Sequence, residues 1–550
     1  MRRTQQKQLL GFLETLEDAR LEMRRAYGEG RVEPVLGTLG DCEVFAESIG
    51  RFVSDAENGS GKGAATLALI DGYRGELARA RREIAAGAEG GAALIKGLRK
   101  HLADIGNSVR ADLAPDRIEA LFLPYKASMW DSMHSVWEAA DADPFCDAYV
   151  APIPYYEVMA GGCLGPMRYE GASYPSGVPV IDWRGYDLEA RRPDVIYIHN
   201  PYDDANLVTS VHPDFFSGRI KDFTDMLCYL PYWVSANAAW AEPLLALQPG
   251  AFNSHRTFWQ SERLRDFFIG EYKKWERDNN SAGAFGKPEE KFVALGSAKL
   301  DMAINSRPED FTLPEEWRGL IYRADGTKKK VVLLNSSLWA LLHGNEKYVE
   351  KLRGAFRAFE GRDDAVLWWR PHPLSASTYN ALRPHLAKAY SALVDEYARG
   401  GAGIYDGTAE PHRAICLSDA YYGDGGSLMA LYAATGKPIM MEILDVQTPA
   451  ETAGPPEGES RQEPSPREAA IKAAMKDPAA CVRYEDALFI ESAGFGLRDY
   501  IEMLMDEGNS EYLARRGARQ RELFLGDIAH GDGTAGAAIY EHCKEFLGFG

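Results

Sequence analysis

The stretch Ser418-Asp-Ala-Tyr-Tyr-Gly-Asp-Gly-Gly-Ser427, followed by Leu428-Met-Ala-Leu-Tyr-Ala-Ala-Thr-Gly-Lys-Pro-Ile-Met-Met441, reads as one strand–turn–helix–strand unit. Ala420 to Tyr422 is a short strand, Gly423 to Ser427 a glycine-rich turn, and Leu428 to Thr435 a helix closed by Gly436, with a buried strand after Pro438. Glycines remove Cβ atoms, so backbone N–H groups can crowd around an anion. Ser427 then caps a helix whose free amides and dipole favour negative charge. Such a unit suits a phosphate or pyrophosphate. A Gly-Gly-Ser at a β–α junction is also compatible with a plain turn.

Two further stretches share this form. Ala365-Val-Leu-Trp-Trp-Arg-Pro-His-Pro-Leu374 is a buried strand ending in Arg370 and His372, its exit held extended by two prolines. Lys330-Val-Val-Leu-Leu-Asn-Ser-Ser337 is another apolar strand with a polar end. In an open α/β sheet, ligands sit at the carboxyl ends of the strands. Three such ends, carrying Asn335, Ser336 and Ser337, then Arg370 and His372, then Asp424, Gly425, Gly426 and Ser427, form one polar cup. Arg370 and His372 are two residues apart, so both side chains point the same way if the strand stays extended. A guanidinium fork and an imidazole donor suit phosphate oxygens. The competing reading is an arginine paired with a local carboxylate and a histidine satisfied by backbone.

These residues resemble the CDP-glycerol glycerophosphotransferases, the polymerases and primases of wall teichoic acids. Ser418, Asp419, Asp424 and Ser427 fall on the family's Ser-Asp…Asp-x-x-Ser turn, while Gly423, Gly425 and Gly426 depart from it. Arg370-x-His372-Pro373 also matches, and Gly296-Ser-Ala-Lys299-Leu-Asp301 is similar to the family's Gly-x-Pro-Arg-x-Asp. The resemblance covers roughly residues 115–500. It implies a GT-B architecture and transfer of glycerophosphate, or another polyol phosphate, from a CDP-linked donor to a hydroxyl acceptor in cell-surface polymer synthesis. One departure bears on the reaction. The family carries Trp-His-Gly-x-x-x-Lys after a middle strand, where this chain has Tyr229-Leu-Pro-Tyr-Trp-Val-Ser235. Two alternatives therefore stay open: a GT-B glycosyltransferase with a nucleotide-sugar donor, and a non-catalytic GT-B binding or scaffold protein.

The formal charge of −19, from 62 basic and 81 acidic residues, gives no general attraction to nucleic acid or anionic lipid. A phosphate site must therefore be local. Seven scattered cysteines without a CxxC pair argue for reduced thiols and against a structural zinc site. Met1-Arg-Arg-Thr-Gln-Gln-Lys7 leads into no apolar core of signal-peptide form, and no apolar run reaches the length of a membrane span. The expectation is a cytoplasmic chain, with peripheral contact at the cytoplasmic face of a membrane left open.

Length allows two to four domains. Residues 1–112 read as a helical accessory region, for self-association or for presenting an acceptor. Leu9, Leu10, Phe12, Leu13, Leu16, Leu21 and Met23 form one helical stripe, and Leu67, Leu69, Ile70, Tyr73 and Leu77 another. Gly59-x-Gly61-Lys62-Gly63 lacks the spacing and preceding strand of a phosphate loop and reads as a linker. From Ile118 strands alternate with helices, which means a doubly wound parallel sheet. Strands are expected near 118–124, 147–154, 193–201, 226–234 and 291–296, making 113–325 a Rossmann-like acceptor domain. A second set near 331–335, 365–370, 403–405, 420–422 and 438–442 makes 326–505 the Rossmann-like donor domain. Residues 451–467 read as a mobile polar insertion, with helices after it near 466–475, 496–506, 509–525 and 534–546. Residues 506–550 are grouped as C-terminal helices. The fold class is thus α/β, GT-B-like, two such domains facing a cleft, plus an N-terminal helical region.

Two groups of candidate site residues result. Donor phosphate is assigned to Arg370, His372, Gly425, Gly426, Ser427 and Ser336. A carboxylate repels phosphate, so Asp424 is assigned to ordering the turn or meeting a hydroxyl, and Lys299 supports the site. For transfer to a hydroxyl, a carboxylate or imidazole beside the incoming oxygen acts as general base. Asp131, which resembles an acidic residue of the corresponding family loop, His199, Asp203 and Asp204 are the candidates; each also reads as an ordinary turn residue, and His212 reads as structural. No cofactor is expected, and no acidic cluster has metal-ligand spacing. Expected partners are CDP-glycerol or a related nucleotide donor and a polyol, glycan or lipid-linked acceptor, with a homo-oligomer through the N-terminal helices open.

Overall fold

The computed structural model describes all residues except 58–61, 88–89, 160–161, 207, 236–242, 374, 443–485, 493 and 550. The expected phosphate-loop look-alike falls partly, and the polar insertion and the helix near 466–475 wholly, outside the described residues. Residues Arg3–Gly28, Val32–Ala56, Ala64–Ala85 and Gly91–Asp112 form helices α1 to α4. Apolar side chains three or four apart, such as Leu9, Leu13 and Leu16 of α1 with Ile95, Leu98, Leu102 and Ile105 of α4, meet in one four-helix core.

The first sheet and its flap comprise β1 (Ile118–Leu123), β2 (Cys146–Val150), β3 (Tyr155–Val158), β4 (Leu164–Arg168), β5 (Val195–Ile198), β6 (Thr209–Val211), β7 (Met226–Tyr229), β8 (Arg256–Trp259) and β9 (Phe292–Ala294). The order β2-β1-β5-β7-β8-β9 is parallel throughout. The strands β4-β3-β6 form a separate antiparallel flap. Sequence reading missed β8, whose four residues hold only two large apolar side chains, and the short flap strands β3, β4 and β6, and it carried β2 on to 154 where the strand ends at Val150.

The second sheet holds β10 (Lys330–Ser336), β11 (Ala365–Pro371), β12 (Gly403–Tyr405), β13 (Ala420–Gly423), β14 (Ile439–Met441) and β15 (Phe489–Ile490), in the parallel order β12-β11-β10-β13-β14-β15. Its central strands are covered on both faces, which is why Val331–Leu334 and Val366–Trp369 are unbroken apolar runs rather than alternating ones. The two doubly wound sheets face each other across a cleft, a GT-B-like architecture.

Two connections set the geometry. Arg2 pairs with Glu119 at 2.7 Å, Thr4 donates to Asp194 at 3.3 Å and Lys7 pairs with Asp225 at 2.9 Å. These three acids stand at the amino ends of β1, β5 and β7, so the bundle docks at the end of the sheet opposite the cleft. The helices Leu497–Met505 and Ser510–Leu525 pack on the second domain, but Ala535–Leu547 returns to the first, placing Ile539, Tyr540, Cys543 and Leu547 in its core. Residues 506–550 are therefore not one unit: the chain crosses between the domains twice. Within the first domain's core, the Cys228 and Cys543 sulfurs lie 3.8 Å apart as free thiols. Among the described residues, no helix is long and apolar enough to cross a membrane.

Candidate functional site

The Ser418–Ser427 signature around β13 divides into two halves. At its amino end, Asp419 accepts from the Val331 amide at 2.8 Å and from Lys328 at 2.9 Å, and Ser418 Oγ donates to Ala414 O at 2.6 Å. Lys437 Nζ donates to the carbonyls of Ile415, Cys416 and Ser418 at 3.0, 2.6 and 2.7 Å. These groups satisfy carbonyls and amides that the helix His412–Leu417 and the strand ends leave open, so their role is to frame the sheet. The other half faces the cleft. Gly423 has φ +149°, and a Cβ there would stand 2.4 Å from Asn335 O, so only glycine lets β13 lie this close to β10. Gly425 and Gly426 are exposed. Ser427 is the first residue of the helix Ser427–Ala433 and not its cap, a place that Gly426 takes, and its Oγ donates across the cleft to Val234 O at 3.3 Å.

Asp424 is buried beneath this turn, accepting from Asn335 Nδ2 at 3.2 Å and from the Ser337 amide at 3.3 Å and its hydroxyl. Burial pushes its carboxyl up to about 6. Glu442, at the end of β14, is pushed up to about 8 by burial and then by Asp424, and its Oε1 has no hydrogen-bond partner among the described residues. Ser336 is also enclosed: its Oγ accepts from Trp369 Nε1 at 3.2 Å and its carbonyl from the His372 amide at 3.0 Å.

Arg370 takes the competing reading. Its guanidinium pairs with Asp406 at 2.9 Å and donates to Thr408 O at 2.7 Å, with the side chain 7% exposed. Asp406 also accepts from Trp368 Nε1 at 3.1 Å and from the Thr408 amide and hydroxyl at 2.9 and 2.6 Å. The pair thus builds the strand exits and leaves the guanidinium engaged. His372 is half-buried on the wall of a cavity of about 280 Å³ at the ends of β11 and β12, together with Tyr379, Asn380, Tyr390, Tyr405 and Thr408. Burial and then the charge of Lys126 press its imidazole down to about 4, so it is neutral at pH 7. Lys126, from the loop after β1, has its ammonium 5.1 Å from the Tyr155 ring, and burial lowers its pKa.

The four candidate bases fare differently. His199 is fully buried: its Nε2 accepts from the Tyr125 amide at 3.1 Å, which leaves the proton on Nδ1, 3.2 Å from Met129 O. Burial holds it down to about 4, and it positions the loop that carries Asp131. Asp203, at φ +51°, spends both oxygens on Ser217, whose amide lies at 3.0 Å and hydroxyl at 2.7 Å. Neither side chain reaches the cleft, so the sequence-based assignment of these two as general bases is corrected to a structural one. Asp204 is exposed on the following turn. His212 Nδ1 accepts from the Asp214 amide at 3.3 Å, a capping role.

Asp131 does stand at the cleft. It lies in the turn Ala127–Ser132, accepts from Lys299 Nζ at 2.6 Å and meets His412 Nε2 of the second domain at 2.9 Å. Burial alone would raise its carboxyl, but Lys299 and then His412 outweigh it and hold the group down to about 2. The Gly296–Asp301 stretch supplies this lysine and two framing residues. A Cβ at Gly296 would meet Ala529 O at 2.3 Å, and Asp301 caps the returning helix by accepting from the Ala535 and Gly536 amides at 3.2 and 2.7 Å.

Sequence reasoning missed Lys126, Asp406, His412 and Glu442. Asp406 and Glu442 each come directly after a strand, a signal that could have been read; Lys126, in the loop after β1, and His412, at the start of the helix His412–Leu417, act on residues of the other domain, which their own sequence neighbours do not show. Among the described residues, no group of acids, histidines and cysteines could hold a metal ion.

No family model and no curated protein sequence matches this chain. Solved structures similar to it include the wall teichoic acid polymerase TagF, at 11% identity and TM-score 0.44 over 87% of this chain and 98% of that one. A putative UDP-N-acetylglucosamine 2-epimerase from Listeria monocytogenes is 13% identical with TM-score 0.41, over 78% of this chain and 97% of its own. MnaA of S. aureus, solved with UDP, is 11% identical with TM-score 0.42 over the same shares, 78% and 97%. At this identity and overlap the likeness identifies no activity.

Proposed function

We propose that this chain is a transferase that moves glycerophosphate, or another polyol phosphate, from a CDP-linked donor to a hydroxyl acceptor bound in the cleft. The observation that carries the reading is that two features share the carboxyl ends of the second sheet: the exposed turn residues Gly425 and Gly426 with Ser427, and the aromatic-walled cavity beside His372. The first suits a pyrophosphate and the second a nucleoside. Lys126, on the first-domain loop after β1, adds positive charge that lowers His372, and we assign it the charge-balancing role that the sequence suggested for Arg370.

In the proposed step the acceptor oxygen attacks the β-phosphorus. The new O–P bond forms as the bond to the CMP phosphate breaks, and CMP leaves with that electron pair. Lys126 and the turn amides stabilise charge on the transferring oxygens. The acceptor proton passes to His372, which is neutral and able to accept it. Asp131, with both oxygens held by Lys299 and one also by His412, orders the closed cleft and has no oxygen turned to the acceptor.

A thermal-shift panel of CMP, CDP-glycerol, UDP and UDP-sugars on wild type, Lys126→Ala and His372→Ala tests this reading. Stabilisation by CMP and CDP-glycerol that is lost in Lys126→Ala, with release of CMP on adding an acceptor, is the expected result. Preference for uridine nucleotides would replace it with a glycosyltransferase. No shift with any nucleotide would replace it with a non-catalytic binding protein.

A further inference from the structure

We propose that the cleft contains a second ligand site, on the far side of the segment Thr408–Pro411 from the His372 cavity, that takes a neutral, many-hydroxyl ligand such as a saccharide or free polyol and rejects phosphorylated ones. A cavity of about 730 Å³ lies here between the domains. Trp130, His134 and Glu138 line it from the first domain, Asp310 from the connection and Glu410 and Arg413 from the second. The partition is thin: Thr408 lines the 280 Å³ cavity, and Ala409, Glu410 and Pro411 line this one.

The charge in this cavity selects its ligand. Arg413, a cation on the wall, pairs with Asp406 at 3.8 Å, sits 4.6 Å from the Trp317 ring and donates to Thr408 Oγ1 at 3.1 Å. Asp131 has both oxygens engaged, by Lys299 and by His412. The carboxylates of Glu138, Asp310 and Glu410 each have one ordered donor, from His134 Nε2 at 3.1 Å, the Arg307 amide at 2.7 Å and the His412 amide at 2.6 Å. Each keeps lone pairs for more. Such a wall accepts hydroxyl hydrogens and repels phosphate oxygens. Trp130 is 3% exposed behind this wall and orients His134, its Nε1 donating to His134 Nδ1 at 2.9 Å. Carboxylate acceptors on several sides of one cavity, with the wall's arginine already paired to Asp406, match a neutral many-hydroxyl ligand and mismatch the pyrophosphate cup on the other side of the partition. That the occupant is the acceptor rests on the transferase reading above; that the cavity binds a neutral polyol does not.

The test is saturation-transfer NMR and calorimetry on the full chain. The ligands are N-acetylglucosamine, ribitol and glycerol, each paired with its phosphorylated form. The variants are Ser176→Trp and Glu138→Lys, both at exposed rim positions that leave the core untouched. Neutral ligands should bind wild type and their phosphates should not; Ser176→Trp should weaken neutral binding at least about tenfold, and Glu138→Lys should admit the phosphates. Phosphates binding wild type as well as neutral ligands do, neutral binding that survives Ser176→Trp, or no neutral binding at all would each overturn the proposal. Nucleotide shifts in these variants should match wild type. Sugar binding without any nucleotide response would keep this site and remove the transferase reading.

Discussion

Asp131 and His412 join the two domains across the cleft, with Nε2 2.9 Å from Oδ2 and both side chains at most 6% exposed. Lys299 closes the other side of the same carboxylate at 2.6 Å. Removing the acid leaves an ammonium buried without its partner, a change that costs about 3–5 kcal/mol in comparable sites. Asp131→Asn should therefore lower stability by that order and open the cleft, read as a larger radius of gyration in solution scattering. His412→Ala should open it with a smaller loss, because the Asp131–Lys299 pair survives within one domain. Unchanged scattering in both variants would remove the contact from any role in closure.

Stability should respond to pH in two separate windows. Asp131 is depressed to about 2 in the folded chain, below the ordinary value of about 3.9. Its contribution is complete above that ordinary value and is lost as pH falls through about 2. Glu442 and Asp424 behave oppositely, raised to about 8 and about 6. The folded state holds their protons where the unfolded chain has released them, so stability falls as pH rises from about 4 toward 8. Glu442→Gln should thus raise the melting temperature at pH 8 and leave it nearly unchanged at pH 4. An equal gain at both pH values would show that the carboxyl is not protonated in the fold.

Arg370→Ala reports on folding. The guanidinium is shared between Asp406 and Thr408 O, and its removal leaves Asp406 buried with neutral donors and the more distant Arg413, 3.8 Å away. We expect a loss of about 3 kcal/mol in urea unfolding, with weakened nucleotide binding only as far as the strand exits shift. Arg370→Lys, retaining charge without the fork, should recover part of the stability. Full stability in Arg370→Ala, with nucleotide binding abolished, would return the residue to direct phosphate contact.

The sheets were legible because their central strands are long apolar runs ending in polar or glycine turns, and the run lengths of β10 and β11 match the expectation almost to the residue. The site was legible only on its own strand ends. Gly425, Gly426, Ser427 and His372 announce themselves by their place just after a strand. Lys126 and His412 do not, because their meaning comes from a partner in the other domain, more than 240 residues away for Lys126 and His372 and more than 270 for Asp131 and His412. The Arg370 motif misled for a related reason: Asp406, which captures the guanidinium, comes just after the next strand and leaves no mark near Arg370. His199 and Asp203 look reactive in sequence, yet burial has spent both on amides and hydroxyls.

The last helix supplies one further test, since its sequence gives no sign of which domain it serves. Ile539 and Leu547 are each 1% exposed within the first domain's core, some 300 residues after β7 and its Cys228. Asp301 anchors the helix start through two amides. If this helix completes the first domain, Ile539→Ala should cost about 2–4 kcal/mol by leaving a cavity there. Hydrogen exchange should then quicken in β1, β5 and β7 and stay slow in β10 and β11, although the helix comes after the second domain in the chain. Exchange quickening first in β10 and β11 would place the helix's stabilising contacts in the second domain instead.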